Sequence, residues 1–238
     1  LKGETLAEQA KEARALLRNA GFDDHALHAG VATTGFDLWR GVTAAYASAY
    51  GRFAAGEHPC GFDYTLLDAD GMPRSANPAE RALWWSDASG IPPGNGIALR
   101  DPHRSGDDPD LSGIACLRAL WEDDSEAAHR VREGVAATRA APPRDGLPTI
   151  IVHGRDDGLI PMAFSSAPYV AMARAAGRQV TFWHVPRAQH FDAFLAFPEY
   201  AARYVPLMPH VHAALDAVWA HLENPLTPLP GDDALPGE

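Results

Sequence analysis

The sequence predicts an α/β fold, and three observations carry that reading. Residues 148–154 (PTIIVHG) and 180–185 (VTFWHV) are short runs rich in β-branched and aromatic side chains, the pattern of buried parallel strands. Helix-forming stretches follow each of them, at 162–177 and 210–224, so the order is strand, helix, strand, helix, which right-handed crossovers assemble into a parallel layer. Before residue 140 no convincing central strand occurs, and that part reads as helix and loop. The expected organisation is therefore a mainly helical cap region over 1–145, an α/β core segment over 146–224 and an extended tail over 225–238.

Each element has its own justification. Residues 4–19 are rich in Ala, Leu, Glu, Lys and Arg, place Leu6, Ala10, Ala13 and Leu17 at helical spacing and stop at Gly21, which predicts a surface helix. From 36 to 53 the bulky residues Phe36, Trp39, Val42, Tyr46, Tyr50 and Phe53 recur every three or four positions, predicting a second helix that turns this aromatic stripe into the core and packs on the first. Asn77-Pro78 opens a short helix through Trp84 and Trp85, and Gly and Pro punctuate 90–106, with Gly94-Asn95-Gly96 read as a turn. Residues 111–121 and 125–140 read as helices, the second with Ala128, Val131, Val135 and Ala136 inward. Pro142-Pro143 reads as a linker. Past Asn224, PLTPLPGDDALPGE lacks apolar periodicity and reads as extended or disordered. Two strands do not make a stable parallel sheet, so either further strands hide in the first 140 residues or, the favoured reading, the chain is the C-terminal part of a larger fold.

Composition excludes several classes of function. Of 238 residues, 46% are hydrophobic and 21% charged, and 20 basic against 31 acidic side chains leave a net charge of −11. That balance lacks the basic footprint of nucleic-acid binding. No apolar run approaches the roughly 20 residues a membrane span needs, and no signal peptide is visible from Leu1 onward. Cys60 and Cys116 stand 56 residues apart without a CxxC, which gives structural zinc no support and leaves two buried thiols or one disulfide open. His25 with His28, and His210 with His212, lack a third ligand at suitable spacing, and no Gly-rich phosphate loop occurs. Neither a metal nor a cofactor is expected.

The chemistry concentrates in two loops. In His153-Gly154-Arg155-Asp156-Asp157-Gly158-Leu159-Ile160-Pro161 a carboxylate follows a strand at its carboxyl end, where open α/β sheets place catalytic groups. Thirty-three residues later His190, in PRAQHFD, follows the next strand. One crossover separates the two loops, so Asp157 and His190 are expected as neighbours, the carboxylate fixing the imidazole tautomer and stabilising its charged form. Acid before histidine is also the chain order of α/β hydrolases. Asp156 competes for the acid's place, but the four-residue step from Asp157 to Pro161 favours Asp157. Asp192 lies too close behind His190 to orient it. None of the nine serines, nor either cysteine, sits in a G-x-S-x-G elbow; Ser112, Ser165 and Ser166 read as capping or loop serines. A nucleophile on an earlier strand, before Leu1, explains both the missing elbow and the shortage of strands.

The segments LKGETLAEQA, GNGI, ACLRALW, IVHGRDDGLIP and AQHFDAFLAFPEYAARYVPL resemble the C-terminal half of bacterial D-(−)-3-hydroxybutyrate oligomer hydrolases. The resemblance covers nearly the whole chain except the tail. It implies an α/β-hydrolase fold, a serine-type esterase that cleaves such oligomers to monomers, Asp157 and His190 as acid and base, and a serine in the N-terminal half of the same protein. It further implies a cap before the acid strand and a secreted or periplasmic location, which suits a Cys60–Cys116 bridge. Arg155, Arg187 or Arg203 are candidates to meet a substrate carboxylate. Two rivals stand beside this: a tannase-like or feruloyl-type esterase using the same pair, and a non-catalytic fragment needing a complementary chain.

Overall fold

The structure, a computed structural model, describes residues 1–35, 37–54, 56–84 and 97–235. It falls into two compact units, Leu1–Phe36 with Ala140–Glu238, and Asp37–Arg139. The first two helices fall in the same unit as the C-terminal layer.

In the first unit, α1 (Leu6–Asn19) starts at a capping box, in which Thr5 accepts from the Glu8 backbone while the Glu8 side chain reaches back to Thr5. Helix α2 (Asp24–Gly35) follows. Ile150–Gly154 and Thr181–Val185 form the expected parallel pair of strands, with Ile150 opposite Thr181 and Gly154 opposite Val185. We label them β4 and β5, because three strands precede them in the other unit. The crossover is a short 3₁₀ turn, Met162–Phe164, leading into a helix at Ser166–Ala175. Val170, Ala173, Val180 and Phe182 form the buried core there, with Ile151, Met162 and Ala167 against it. The last helix, Met208–Glu223, packs on β4.

Residues 225–235 form turns and irregular chain with no helix or strand, and part of this segment is docked. Thr181 N–H faces β4, donating to Thr149 O at 3.0 Å, so the alternation of a strand turns Phe182 N–H outward. There the Asp232 carboxylate accepts it at 2.8 Å and also pairs with Arg174 at 2.7 Å. The Gly231 carbonyl accepts the Trp183 indole N–H, and the Pro230 carbonyl the Thr181 hydroxyl. Specific polar partners hold this segment where apolar periodicity gave no hint of order.

The second unit contains α3 (Leu38–Gly51), a short α4 (Pro78–Trp84), α5 (Leu111–Glu122) and α6 (Glu126–Ala137). It also holds a small antiparallel sheet that the sequence reading missed, of β1 (Asp63–Leu67), β2 (Pro73–Arg74) and β3 (Ile97–Arg100), in the order β2-β1-β3. These strands are two to five residues long and only Leu66 among them is buried, so neither length nor alternation marked them. The turn expected at Gly94–Gly96 lies outside the described residues.

Helix α3 keeps the expected inward face only in part. It buries Arg40, Ala44, Ala47 and Gly51; Tyr50, with Phe53 just beyond the helix, packs half-buried against the core, while Tyr46 is 53% exposed. Small residues let α6 approach so closely that a Cβ on Gly134 would stand 2.0 Å from the Tyr50 carbonyl oxygen. Phe36 lies outside the described residues. Ala44, Ala47, Cys60, Phe62, Leu117, Leu120 and Val131 make the core, and Cys60 and Cys116 are joined as a disulfide with Cα atoms 5.8 Å apart.

Candidate active site

The loop after β4 and the loop after β5 meet through a glycine. A Cβ on Gly154 would lie 2.6 Å from the Ala188 carbonyl oxygen, so only glycine permits this approach. Backbone hydrogen bonds then fix both loops: Arg155 N–H donates to Val185 O at 2.8 Å and Asp156 N–H to Ala188 O at 2.9 Å. Arg187 takes a left-handed φ of +56°, a strained conformation for a side chain with a Cβ. The Val205 N–H to Arg187 O bond at 2.9 Å holds it there.

On this frame Asp157 and His190 come together as the spacing predicts. His190 Nδ1 stands 2.8 Å from Asp157 Oδ2. The other carboxylate oxygen, Oδ1, accepts from Leu159 N–H at 2.9 Å and Ile160 N–H at 2.7 Å. Asp157 is 4% exposed, so its carboxylate is a buried charge whose orientation is set by these donors. The imidazole of His190 is more open, with an edge-to-face contact to Phe191. Its Nε2 is thereby the ring nitrogen available for proton transfer.

Asp156 takes a different partner. Its Oδ1 lies 2.7 Å from Nδ1 of His25 on α2, and Arg155 pairs with Asp23 at 2.6 Å. Gly158 is pressed against Gly30 of the same helix, and Thr33 donates to the Gly158 carbonyl at 3.3 Å. Helix α2 thus holds the acid loop from behind, a role the sequence reading did not give it; the fold-specific proximity of Gly30 and Gly158 leaves no local signal. His28 Nε2 meets Arg14 at 3.2 Å, and among the described residues no group of three or more ligating side chains could hold a metal ion. Asp192 accepts from the Leu207 and Met208 N–H groups, which caps the last helix. Of the three arginines considered for substrate, Arg155 is engaged by Asp23 and Arg203 stacks on Tyr204.

A cavity of about 290 Å³ opens beside the pair, lined by Val152, Ile160 and Leu207 together with His153, Ser165, Ser166 and His190. Ser165 Oγ donates to Pro161 O at 2.9 Å, and Ser166 Oγ is buried without a hydrogen-bond partner. Ser112 donates to His103 O. His153 is the residue that sequence reasoning missed here. Burial pushes its imidazole below the ordinary histidine value, against the pull of the Asp157 carboxylate and the Ile160 backbone, and a positive charge on His190 adds to the depression.

Fold and site together define a buried acid–histidine pair at the carboxyl ends of parallel strands, the arrangement by which α/β proteins prepare an imidazole for proton transfer. The chain belongs to the 3HB-oligomer hydrolase family, which it matches over residues 1–235. It is 34% identical to the D-(−)-3-hydroxybutyrate oligomer hydrolase of Paracidovorax citrulli, over 99% of this chain and 36% of that protein. It is 36% identical to the protein of the same name from an Azoarcus species, over 79% of this chain and 30% of the relative. For the Cupriavidus necator protein of that name the identity is 31%, over 93% of this chain and 34% of the relative. The chain therefore spans about a third of the length of these curated relatives. No solved structure matches it.

Proposed function

We propose that this chain carries the acid and the base of a serine-type carboxylic ester hydrolase that cleaves D-(−)-3-hydroxybutyrate oligomers to monomers. The nucleophilic serine is supplied by a part of the polypeptide preceding Leu1, in an α/β-hydrolase fold that the parallel pair helps to complete. The Asp157–His190 contact carries this reading, and the family membership and the names of the relatives support the substrate. The committed or buried hydroxyls of Ser112, Ser165 and Ser166 support a serine elsewhere. The protein works outside the reducing cytosol, secreted or periplasmic; the Cys60–Cys116 bridge supports that location.

The mechanism follows from the geometry. His190 Nε2 takes the serine proton as the serine oxygen attacks the ester carbonyl, and Asp157 balances the imidazolium through Nδ1–H. The tetrahedral intermediate expels the alcohol of the next unit, which receives that proton from His190. Water, deprotonated by the same imidazole, then cleaves the acyl-enzyme, releases the acid and regenerates the serine. The test is hydrolysis of 3-hydroxybutyrate dimer and trimer by the longer polypeptide. Asp157→Asn and His190→Ala are expected to lose about 10³–10⁴-fold in kcat, whereas Asp156→Asn keeps activity within about threefold. Near-parental rates for the first two variants would overturn the assignment. A parent enzyme that prefers galloyl or feruloyl esters would move the substrate to that class.

A further inference from the structure

Resting on the reading of Asp157 and His190 as acid and base, we propose that His153 is a positioning residue of the same site: as a neutral imidazole it donates Nε2–H to Asp157 Oδ2 and holds that oxygen toward His190. His153 sits on β4, one residue before Gly154, so a strand and not a flexible loop carries it. Its side chain is 12% exposed, and Nε2 lies 3.5 Å from Asp157 Oδ2, the oxygen that His190 Nδ1 approaches at 2.8 Å. That Nε2 is buried and lacks a hydrogen-bond partner at bonding distance. A buried polar nitrogen without a partner is disfavoured, and a shift of a few tenths of an ångström toward Oδ2 provides one.

The acceptor side has room for this fourth donor. A carboxylate offers about four lone-pair positions. Leu159 and Ile160 N–H occupy Oδ1, and His190 takes one position on Oδ2. His153 fills the remaining one. The two titratable groups facing it are Asp157 and His190. Were His153 cationic, two imidazolium ions would share one carboxylate during turnover, and Asp157 would stabilise His190 less. A neutral donor instead fixes the carboxylate rotamer and leaves its charge for His190. Burial of the ring keeps it in that neutral state.

The test begins with NMR of the longer polypeptide carrying ¹⁵N-labelled imidazoles. The expected result is His153 as the neutral Nε2–H tautomer near pH 7, with its ring nitrogens shifted by Asp157→Asn. An Nδ1–H tautomer, an imidazolium at that pH, or ring nitrogens indifferent to Asp157→Asn would overturn the proposal. This readout needs no hydrolysis, so it decides the His153–Asp157 pair even where the longer polypeptide proves inactive on hydroxybutyrate oligomers. Where it is active, His153→Phe is expected to lower kcat about 10–100-fold with KM unchanged, and His153→Gln, which keeps a donor near the Nε2 position, to restore most of the loss. Equal losses in both variants would count against hydrogen-bond positioning and overturn it.

Discussion

His58 shows how a single residue's hydrogen bonds can set the pH at which a fold weakens. Its ring is buried, Nε2 lies 3.1 Å from Ala44 O, and Nδ1 accepts the Cys60 N–H at 3.0 Å, so the neutral ring has one donor and one acceptor, both used. A second proton would face the Cys60 N–H. Burial lowers its pKa and the Ala44 carbonyl only partly opposes this. The unfolded chain therefore binds the proton more readily, and the contribution of His58 to stability is complete above about pH 6.5 and lost as pH falls through that value toward the folded pKa. The expected outcome is a His58 ring signal in the folded chain that titrates below pH 6.5, together with a lower urea midpoint at pH 5.5 than at pH 7.5. A His58 midpoint at or above 6.5 would contradict this.

At the scale of elements, the contact of α3 with α6 decides between two opposing effects. Alanine gains about 1 kcal/mol over glycine in a helix interior, but at Gly134 the added carbon would meet the Tyr50 backbone, where overpacking costs roughly 1–3 kcal/mol and no flexible side chain can yield. Gly134→Ala should lower the melting temperature. Gly41→Ala, on α3 with nothing within 4 Å of the new carbon, should raise it. A thermal melt of both variants reads the two signs.

The same comparison shows what was legible beforehand. The helices at 6–19, 111–122 and 126–137 were readable because their residue preferences and periodicity are local. The strands at 150–154 and 181–185 were readable because short runs of β-branched and aromatic residues mark them, and the loops after them gave Asp157 and His190. The inward face of α3 was not fully readable, since aromatic size argues for burial while close helix approach selects alanine and glycine. Nor were His153, the support from α2 and the docked tail, which depend on residues far apart in sequence meeting through tertiary contacts. The sequence also left the state of Cys60 and Cys116 open, because pairing needs a spatial approach.

For the whole molecule, that bridge closes a loop of 56 residues within the unit Asp37–Arg139 and leaves the other unit unconstrained. Chain-entropy reasoning assigns it roughly 4 kcal/mol. Reduction should therefore strip hydrogen-exchange protection from amides across 37–139 while those of β4 and β5 keep theirs. Uniform loss across both units would show that they unfold as one.

The docked tail has a consequence for direction. With Asp232, Gly231 and Pro230 laid along the outer flank of β5, and with β5 as the sheet partner of β4 among the described residues, the parallel pair has one sealed flank. The pair is thus asymmetric: among the described residues the Phe182 N–H on the outer side of β5 is already taken by the tail, while no strand is paired on the far side of β4.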